Sequence, residues 1–238
     1  MTDTHTGTVP EDSARSAVQN YGRDFWSKEN LKFSQPHYRM QKALRIINNI
    51  ARGQPCDLLD IGCGPAALMH LLPPTIHYHG IDIAIQDPAP NLLSTDILRA
   101  PIAFAGQKFD IIIAQGVFEY LPEVQSQKFA EIAQLLRPGG TFLVTYWNYA
   151  HRNAKVYHAH TNVQPFGDFR RDLEQQFSID RFFPASHNWY HGSPSWRLNR
   201  ALNMRININI PVISPLLGVE YFIVCSPRGS GTQAQASA

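Results

Sequence analysis

The sequence predicts an α/β fold: a Rossmann-like, doubly wound sheet of parallel strands with helices on both faces. Short apolar segments typical of strands alternate along the chain with segments of helical spacing. The first of these predicted strands ends in a glycine-rich turn, and a predicted helix follows the turn directly. Sheets of this kind bind ligands at the carboxyl ends of their strands, near the point where the strand order reverses.

The first elements of the alternation surround the glycine-rich turn. Segment 36–53 carries apolar residues on one helical face and ends in glycine, which favours a helix C-terminus. Segment 56–62, CDLLDIG, is predicted to be a buried strand. Pro65 is predicted to open a helix that runs through Leu72, where Pro73-Pro74 stops it.

The rest of the chain repeats this pattern. A Pro-Gly-Gly turn at 138–140 separates a helical pattern from a further apolar strand. The predicted strands are 76–83, 109–115, 141–147 and 220–226, and the predicted helices are 124–137 and 168–177.

Composition restricts the functions to consider. The length of 238 residues fits one domain, and a net charge of +2 does not indicate binding to nucleic acid or to a membrane surface. No apolar run approaches the ~18 residues that span a bilayer, so no membrane span is predicted. The polar start of the chain does not resemble a signal peptide, and the three cysteines suggest buried thiols. We therefore expect a cytoplasmic protein.

Polar, low-complexity ends define the expected domain. Residues 1–17 and 228–238 are predicted to be flexible tails, and residues 18–227 are predicted to form the domain. Within it, segments 18–38 and 187–217 are expected to act as a lid or cap.

The glycine-rich turn allows two readings on its spacing alone. Gly62-x-Gly64-x-x-Ala67 fits a relaxed dinucleotide pattern, and Asp82 follows Gly62 by 20 residues, where that pattern expects a ribose-binding acid. A nicotinamide-dependent oxidoreductase is therefore one alternative. Asp60, however, lies at an apolar strand end, where a carboxylate is costly unless it is solvated or faces a cation.

The order of several motifs favours a different family. The series DIGCG, GIDI, TDIL, FDIIIAQGVFEYL and LRPGGTFLV, across about residues 38–148, resembles the class I S-adenosylmethionine-dependent methyltransferases (methyltransferase type 11-like). The resemblance implies a seven-stranded sheet with an antiparallel last strand, S-adenosyl-L-methionine as cofactor and methyl transfer as the activity. A domain that binds the cofactor without catalysis remains a further alternative.

The resemblance also implies roles for individual residues. Asp60, Gly62 and Gly64 match the loop that holds the methionine part of the cofactor, and Asp60 would face its ammonium group. Asp82, which Ile83 follows, matches the acid that binds both ribose hydroxyls through charge-assisted hydrogen bonds.

Further matches lie at the next two strand ends. Asp96 and Ile97 match the adenine contacts, and Gln115 and Gly116 match the position whose backbone lies nearest the reacting sulfonium. Only 14 residues separate Asp82 from Asp96, and two prolines interrupt them, so the helix usual at this place is expected to be very short or lost.

Some of these residues also have a structural interpretation. Arg39, and more loosely Tyr21 and Trp26, match an element that closes over the cofactor's carboxylate, but Arg39 could equally lie on a solvated helix face. Asp60 could be a helix N-cap, and Asp96 could be a turn former.

Histidines and aromatic residues concentrate after segment 141–147, where this fold places its acceptor-side loops. The candidates for a base that activates a hydroxyl acceptor are Tyr146, Trp147, Asn148, His151, Tyr157, His158, His160 and the segment 187–196. Our choice for the catalytic residue is His151, just beyond the strand. A nitrogen acceptor would need no such base.

The acceptor itself is expected to be a small molecule. Segment 197–217 is rich in apolar residues and asparagine and lacks a basic stripe, which favours a bulky or greasy molecule over nucleic acid. His158-x-His160 and His77-x-His79 have the spacing of paired metal ligands, but no carboxylate or cysteine completes a set, so no metal is predicted.

Overall fold

A computed structural model describes residues 38–102, 104, 106–121, 123–149, 162–187, 210, 214 and 218–229 of the chain. The strands are β1 Cys56–Ile61, β2 Ile76–Asp82, β3 Leu92–Ser94, β4 Phe109–Ala114, β5 Leu136–Trp147, β6 Phe177–His187 and β7 Gly218–Pro227. The α-helices are α1 Tyr38–Ala51, α2 Gln125–Leu135 and α3 Phe166–Leu173, with short 3-10 helices at Ala67–Leu71 and Phe118–Tyr120.

The strands form one seven-stranded sheet in the order β3-β2-β1-β4-β5-β7-β6. Strands β1 to β5 pair in parallel, and β7 lies antiparallel between β5 and β6. The order reverses between β1 and β4, so the carboxyl ends of these two strands form the crevice where such sheets bind ligands. The predicted Rossmann-like sheet with an antiparallel last strand is confirmed.

Alternation along each strand divides the core between the two faces of the sheet. On β1, Leu58 packs in the cluster that α1 covers through Ala43 and Ile47, whereas Leu59 belongs to the opposite cluster. That opposite cluster is rich in phenylalanine and is covered by α2 and α3; it includes Phe118, Phe129, Phe142, Phe169 and Phe177. Central strands buried on both faces explain why CDLLDI and FDIIIA are almost continuously apolar.

The structure differs from the prediction at several elements. The helix expected from Pro65 to Leu72 is only the 3-10 helix Ala67–Leu71, because Ala66 has a left-handed backbone (φ 56°) that a helix cannot include. The helix expected at 168–177 is Phe166–Leu173. Strands β3 and β6, at Leu92–Ser94 and Phe177–His187, were not predicted. Strand β5 begins at Leu136, so the Pro-Gly-Gly sequence at 138–140 lies within the strand instead of forming a turn before it.

Two further expectations concern the segment after β2 and the membrane. Between β2 and β3 the structure contains turns and an isolated bridge but no helix, in agreement with the short spacing between Asp82 and Asp96. Within the described part of the chain, no helix is long and apolar enough to cross a membrane.

Candidate functional site

The glycine loop after β1 is tied to the end of β2. Gly62 (φ 70°) and Gly64 (φ 54°) both have left-handed backbones, and the N–H groups of Gly62 and Cys63 donate to the carbonyl oxygen of Ile81 at 2.8 and 3.3 Å. A Cβ on Gly62 would stand 2.3 Å from Cγ2 of Val117, so the loop needs glycine there. A Cβ on Gly64 would meet no atom of the described residues within 4 Å, which leaves open space for a ligand against that backbone.

Asp82 ends β2 beside this open space. The N–H of Gly64 donates to its Oδ2 at 2.8 Å, and the N–H of Ala84 donates to its Oδ1 at 2.7 Å. Burial raises the pKa of Asp82, and these two hydrogen bonds oppose the rise. The bonds fix the direction of the carboxylate, and each oxygen keeps a lone pair for a ligand hydroxyl. Ile83, the next residue, is partly buried.

Asp60 lies next to Asp82 and is nearly inaccessible, with 4% of its surface exposed. The hydroxyl of Tyr78 donates to its Oδ2 at 2.9 Å. Burial raises the pKa of Asp60 to about 7; the Tyr78 hydrogen bond opposes the rise and the charge of Asp82 adds to it. Because the cap residue of the following 3-10 helix is Ala66, Asp60 does not cap that helix.

The turn after β3 holds Asp96 and Ile97 against the end of β2. The N–H of Thr95 donates to the carbonyl oxygen of Asp82 at 3.1 Å, and the N–H of Leu98 donates to Oδ1 of Asp96 at 3.0 Å. Asp96 therefore does form a turn, as its structural interpretation predicts. Its partly exposed carboxylate nevertheless lies beside the Asp82 strand end, and Ile97 packs partly against the core.

Gln115 and Gly116 follow β4 on the other side of the crevice. The N–H of Gly116 (φ 66°) donates to Oγ1 of the buried Thr145 at 2.9 Å, which fixes this turn against β5. The buried Oε1 of Gln115 has no hydrogen-bond partner among the residues that the structure describes. A buried amide oxygen of this kind requires a partner, and a bound molecule can provide one.

Arg39 extends from α1 to the same place. Its Nη1 and Nη2 lie 3.6 and 3.8 Å from the point where a Cβ of Gly116 would stand, and Nη1 donates to Oε1 of Glu220 at 2.7 Å. Arg39 is therefore not simply on a solvated helix face, because its guanidinium lies over the end of β4.

Sequence reasoning missed two acids beside Arg39. Glu119 lies in the 3-10 helix after β4, and Glu220 lies in β7; both are buried. Burial, with the charge of Glu220, raises the pKa of Glu119 to about 8, and Arg39 opposes this rise. The signal that could have revealed them is the one that singled out Asp60, an acid inside an apolar segment.

The comparison with known families decides the class of protein. Residues 36–195 match the family described as "Methyltransferase domain". The chain is a methyltransferase of this family. The match decides against the nicotinamide-dependent alternative, and the cofactor of the methyltransferase is S-adenosyl-L-methionine.

Solved structures share the methyltransferase fold at low sequence identity. A TehB-like S-adenosylmethionine-dependent methyltransferase from Corynebacterium glutamicum is 18% identical, with a TM-score of 0.53, over 92% of this chain and 100% of that one. The N-methyltransferase NodS from Bradyrhizobium japonicum, in complex with S-adenosyl-L-homocysteine, is 12% identical, with a TM-score of 0.57, over the same shares. A methyltransferase from Archaeoglobus fulgidus is 18% identical, with a TM-score of 0.57, over 82% of this chain and 96% of that one.

The residues around the crevice of the methyltransferase fit its cofactor. The open space over Gly64 admits a ligand against the bare backbone, and Asp82 borders this space with a fixed carboxylate suited to a diol. The deeply buried Asp60 offers an acid to an ammonium group, and Gln115 offers an unpartnered amide oxygen.

The acceptor side of the methyltransferase is described only in part. Tyr146, Trp147 and Asn148 are described; the other candidates, which lie outside the described residues, are His151, Tyr157, His158, His160 and, except for His187, the segment 187–196. Tyr21 and Trp26 also lie outside them. Asn148 donates to the carbonyl oxygen of Gly218 at 2.7 Å, a structural bond between β5 and β7. Across the described ranges, no group of three or more His, Cys, Asp or Glu side chains is arranged to hold a metal ion.

Proposed function

We propose that this methyltransferase transfers the methyl group of S-adenosyl-L-methionine to a nitrogen or oxygen atom of a small-molecule acceptor by in-line displacement. The observation that carries the proposal is the hydrogen bond from Gly64 to Asp82, which aligns a ribose-binding acid with an open glycine loop. The N-methyltransferase NodS supports nitrogen as an acceptor atom. The plantazolicin methyltransferase BpumL, crystallised with a desmethylPZN analogue, supports an acceptor that is not a nucleic acid (15% identity, TM-score 0.52, 91% of this chain and 98% of that one).

We assign the amino-acid and ribose parts of the cofactor to the β1 and β2 ends. Asp82 accepts both ribose hydroxyls, because its carboxylate is oriented by the N–H groups of Gly64 and Ala84. Asp60 binds the ammonium group, since the Coulombic attraction between opposite charges is stronger at a buried site than at the surface. The backbone at Gly62 and Gly64 lies along the methionine part.

We assign the adenine and the reacting end to the neighbouring turns. Asp96 binds the exocyclic amine of adenine, while Ile83 and Ile97 contact its ring. Gln115 and Gly116 lie nearest the sulfonium. Arg39 exchanges its ion pair with Glu220 for one with the cofactor's carboxylate.

The protein contributes to this reaction mainly by aligning the reactants, not by forming covalent bonds. The sulfonium supplies an activated methyl group when the cofactor is bound. The Gly116 turn, held by Thr145, then aligns the reacting end, and the surrounding side chains exclude water. For a hydroxyl acceptor we propose His151 as the general base, a role that a nitrogen acceptor would not require.

The experiment combines binding and turnover. Calorimetry is expected to show binding of S-adenosylhomocysteine but not of NAD. Incubation of the protein with S-adenosylmethionine and a panel of amines, phenols and alcohols is expected to produce S-adenosylhomocysteine. Binding of NAD in preference to S-adenosylhomocysteine would contradict the proposal. Cofactor binding with turnover only on protein or nucleic acid would contradict the acceptor class.

The remaining proposals concern the whole chain. We place the protein in the cytoplasm, because Cys56, Cys63 and Cys225 are all free thiols. We also retain the domain at 18–227, with lid segments 18–38 and 187–217 and tails 1–17 and 228–238. Limited proteolysis followed by mass spectrometry tests these boundaries, since tails are cleaved before the domain.

A further inference from the structure

A buried acid close to the reacting end has no assigned role. Glu119 is 1% exposed and lies three residues after Gly116. Its Oε1 accepts a hydrogen bond from the N–H of Trp147 at 2.9 Å, but its Oε2 has no hydrogen-bond partner among the described residues. Removing a carboxyl oxygen from water without a partner is costly, so such a group calls for a functional explanation.

The surroundings of Glu119 place it on the acceptor side of the sheet. Trp147, its hydrogen-bond donor, ends β5 and pairs with Glu220 of β7. The guanidinium of Arg39 forms an ion pair with Glu220 and lies beside Gly116. Glu119, Arg39 and Glu220 therefore form an acceptor-side cluster at the ends of β4 and β5.

We propose that Glu119 takes the proton that a nitrogen acceptor loses once it has been methylated. The inference rests on the proposed function, which puts the reacting sulfur beside Gly116. A lone pair of the acceptor nitrogen forms the new bond to the methyl carbon, and the electron pair of the carbon–sulfur bond stays with sulfur. The acceptor's proton passes to Oε2 of the Glu119 carboxylate, which becomes a carboxylic acid and later releases the proton to water.

Arg39 provides the access that this step needs. In the structure its guanidinium fills the place beside Gly116 and is held by Glu220. When Arg39 turns to the cofactor's carboxylate, the place beside Gly116 opens to the acceptor. The positive charge of Arg39, which lowers the pKa of Glu119, then also moves away, and the Glu119 carboxylate becomes a stronger base.

The charged groups around Glu119 suit this task. Glu220 on β7 and the phenols of Tyr146 and Tyr149 face it, together with Arg39 on α1. Burial raises the pKa of Glu119 to about 8, and a base is most effective when its pKa is near the working pH. The ionised, proton-accepting fraction therefore increases as the pH rises through about 8.

The test does not require the acceptor to be known. Sinefungin is a cofactor analogue that carries an ammonium group on the carbon that replaces the methylated sulfur. We would measure the dissociation constants of sinefungin and S-adenosylhomocysteine by calorimetry for the wild type, Glu119→Gln and Glu123→Gln. Glu123 is the matched control, because it is an exposed acid four residues away.

The wild type and Glu123→Gln are expected to prefer sinefungin over S-adenosylhomocysteine by roughly ten- to a hundredfold, as for a charge-assisted hydrogen bond. Glu119→Gln is expected to lose this preference and to keep its affinity for S-adenosylhomocysteine. An equal preference in all three proteins would overturn the inference. Failure of the wild type to bind either ligand would instead overturn the proposed function.

A measurement on the wild type alone covers the case in which Glu119→Gln does not fold. At pH 7 the free protein holds a proton on Glu119, and the ammonium of sinefungin favours its loss. Calorimetry in buffers of different ionisation enthalpy is therefore expected to show about one more proton released with sinefungin than with S-adenosylhomocysteine. Both ligands carry the amino-acid ammonium, so Asp60 contributes equally to both. Equal proton release would contradict the proposed role.

Discussion

Two aspartates of β1, Asp57 and Asp60, lie at opposite ends of the strand and in opposite environments. At the amino end, Asp57 accepts hydrogen bonds from Nη2 of Arg137 at 2.5 Å and from His77 at 3.1 Å. Burial acts to raise the pKa of Asp57, but these partners outweigh it and hold the pKa below its usual value. At the carboxyl end, Asp60 has Tyr78 and the nearby Asp82, and burial raises its pKa to about 7.

The difference in charge compensation indicates a structural role for the acids at the amino ends of the strands and a binding role for those at the carboxyl ends. Arg137 also pairs with Asp110 of β4, so the amino ends of β1, β4 and β5 are joined by an ion network that is complete within the protein. The acids at the carboxyl end are held in a costly state that a cationic or hydroxyl-bearing ligand would relieve. We conclude that the compensation of an acid's charge distinguishes the two ends better than its burial alone.

The largest expected effect is the loss of Asp82. Asp82→Ala removes the acid proposed to bind the ribose hydroxyls, and affinity for S-adenosylhomocysteine should fall by 1.5–3 kcal/mol, roughly ten- to a hundredfold. We expect this loss to exceed that of any other single acid substitution. Calorimetry measures it, with Asp110→Ala at the opposite end of the sheet as the control. Equal losses in the two variants would remove the distinction between the ends.

A pH dependence is expected at Asp60. The ligand's ammonium favours the ionised acid, so affinity for S-adenosylhomocysteine should fall by up to about tenfold for each pH unit below about 7 and be constant above it. Asp60→Asn should bind more weakly and lose this dependence, whereas adenosine, which lacks the ammonium, should be little affected. Calorimetric titrations of both proteins between about pH 5.5 and 8.5 test this. Equal losses for adenosine and S-adenosylhomocysteine would indicate a structural role for Asp60.

The adenine end should be less sensitive. Asp96→Asn keeps an oxygen that can accept the hydrogen bond from Leu98, so the turn should persist. The loss of charge toward the adenine amine is expected to weaken S-adenosylhomocysteine binding by roughly threefold, less than at Asp82. Calorimetry on this variant and on Asp82→Ala compares the two directly. A larger loss at Asp96 would move the principal binding acid from β2 to β3.

The smallest effect is expected at the amino end. Asp57→Asn should lower the free energy of unfolding by less than about 1 kcal/mol, because the Arg137 side chain is partly exposed to solvent, and should leave cofactor affinity unchanged. The pKa of Asp57 is lowered, so its contribution is present above the usual value of about 3.9 and disappears as the pH falls through the lowered pKa. Urea denaturation at neutral and acid pH tests this. Reduced cofactor affinity in this variant would contradict a purely structural role.

Local sequence predicted the centre of the molecule well. The apolar strands β1, β2 and β4 and the glycine loop are encoded by contiguous residues, and the structure contains all of them. Strand β6 escaped prediction because Pro184 and three register shifts interrupt its pattern, which an edge strand tolerates. The early helix was predicted too long because nothing in the sequence announced the left-handed Ala66.

In the candidate site, too, the residues in local motifs were predicted, and those that depend on long-range contacts were not. Asp60, Gly62, Gly64 and Asp82 were recognised from the sequence, and the structure brings them together at one edge of the sheet. The partnership of Arg39 with Glu220 spans 181 residues, and no local pattern specifies such a contact. Glu119 was overlooked because its burial depends on β5, a separate element of the chain.

The position of β7 between β5 and β6 has a consequence for the order of folding. Among the strands that the structure describes, β6 pairs only with β7, so neither β6 nor the antiparallel half of the sheet can be completed until residues 218–227 are in place. The glycine loop and Asp82 need only strands β1, β2 and β4, whereas Glu220 arrives with β7. We therefore expect the cofactor-binding edge of the sheet to form before the acceptor side. Pulse-labelling hydrogen exchange should show protection of β1 and β2 amides before those of β6.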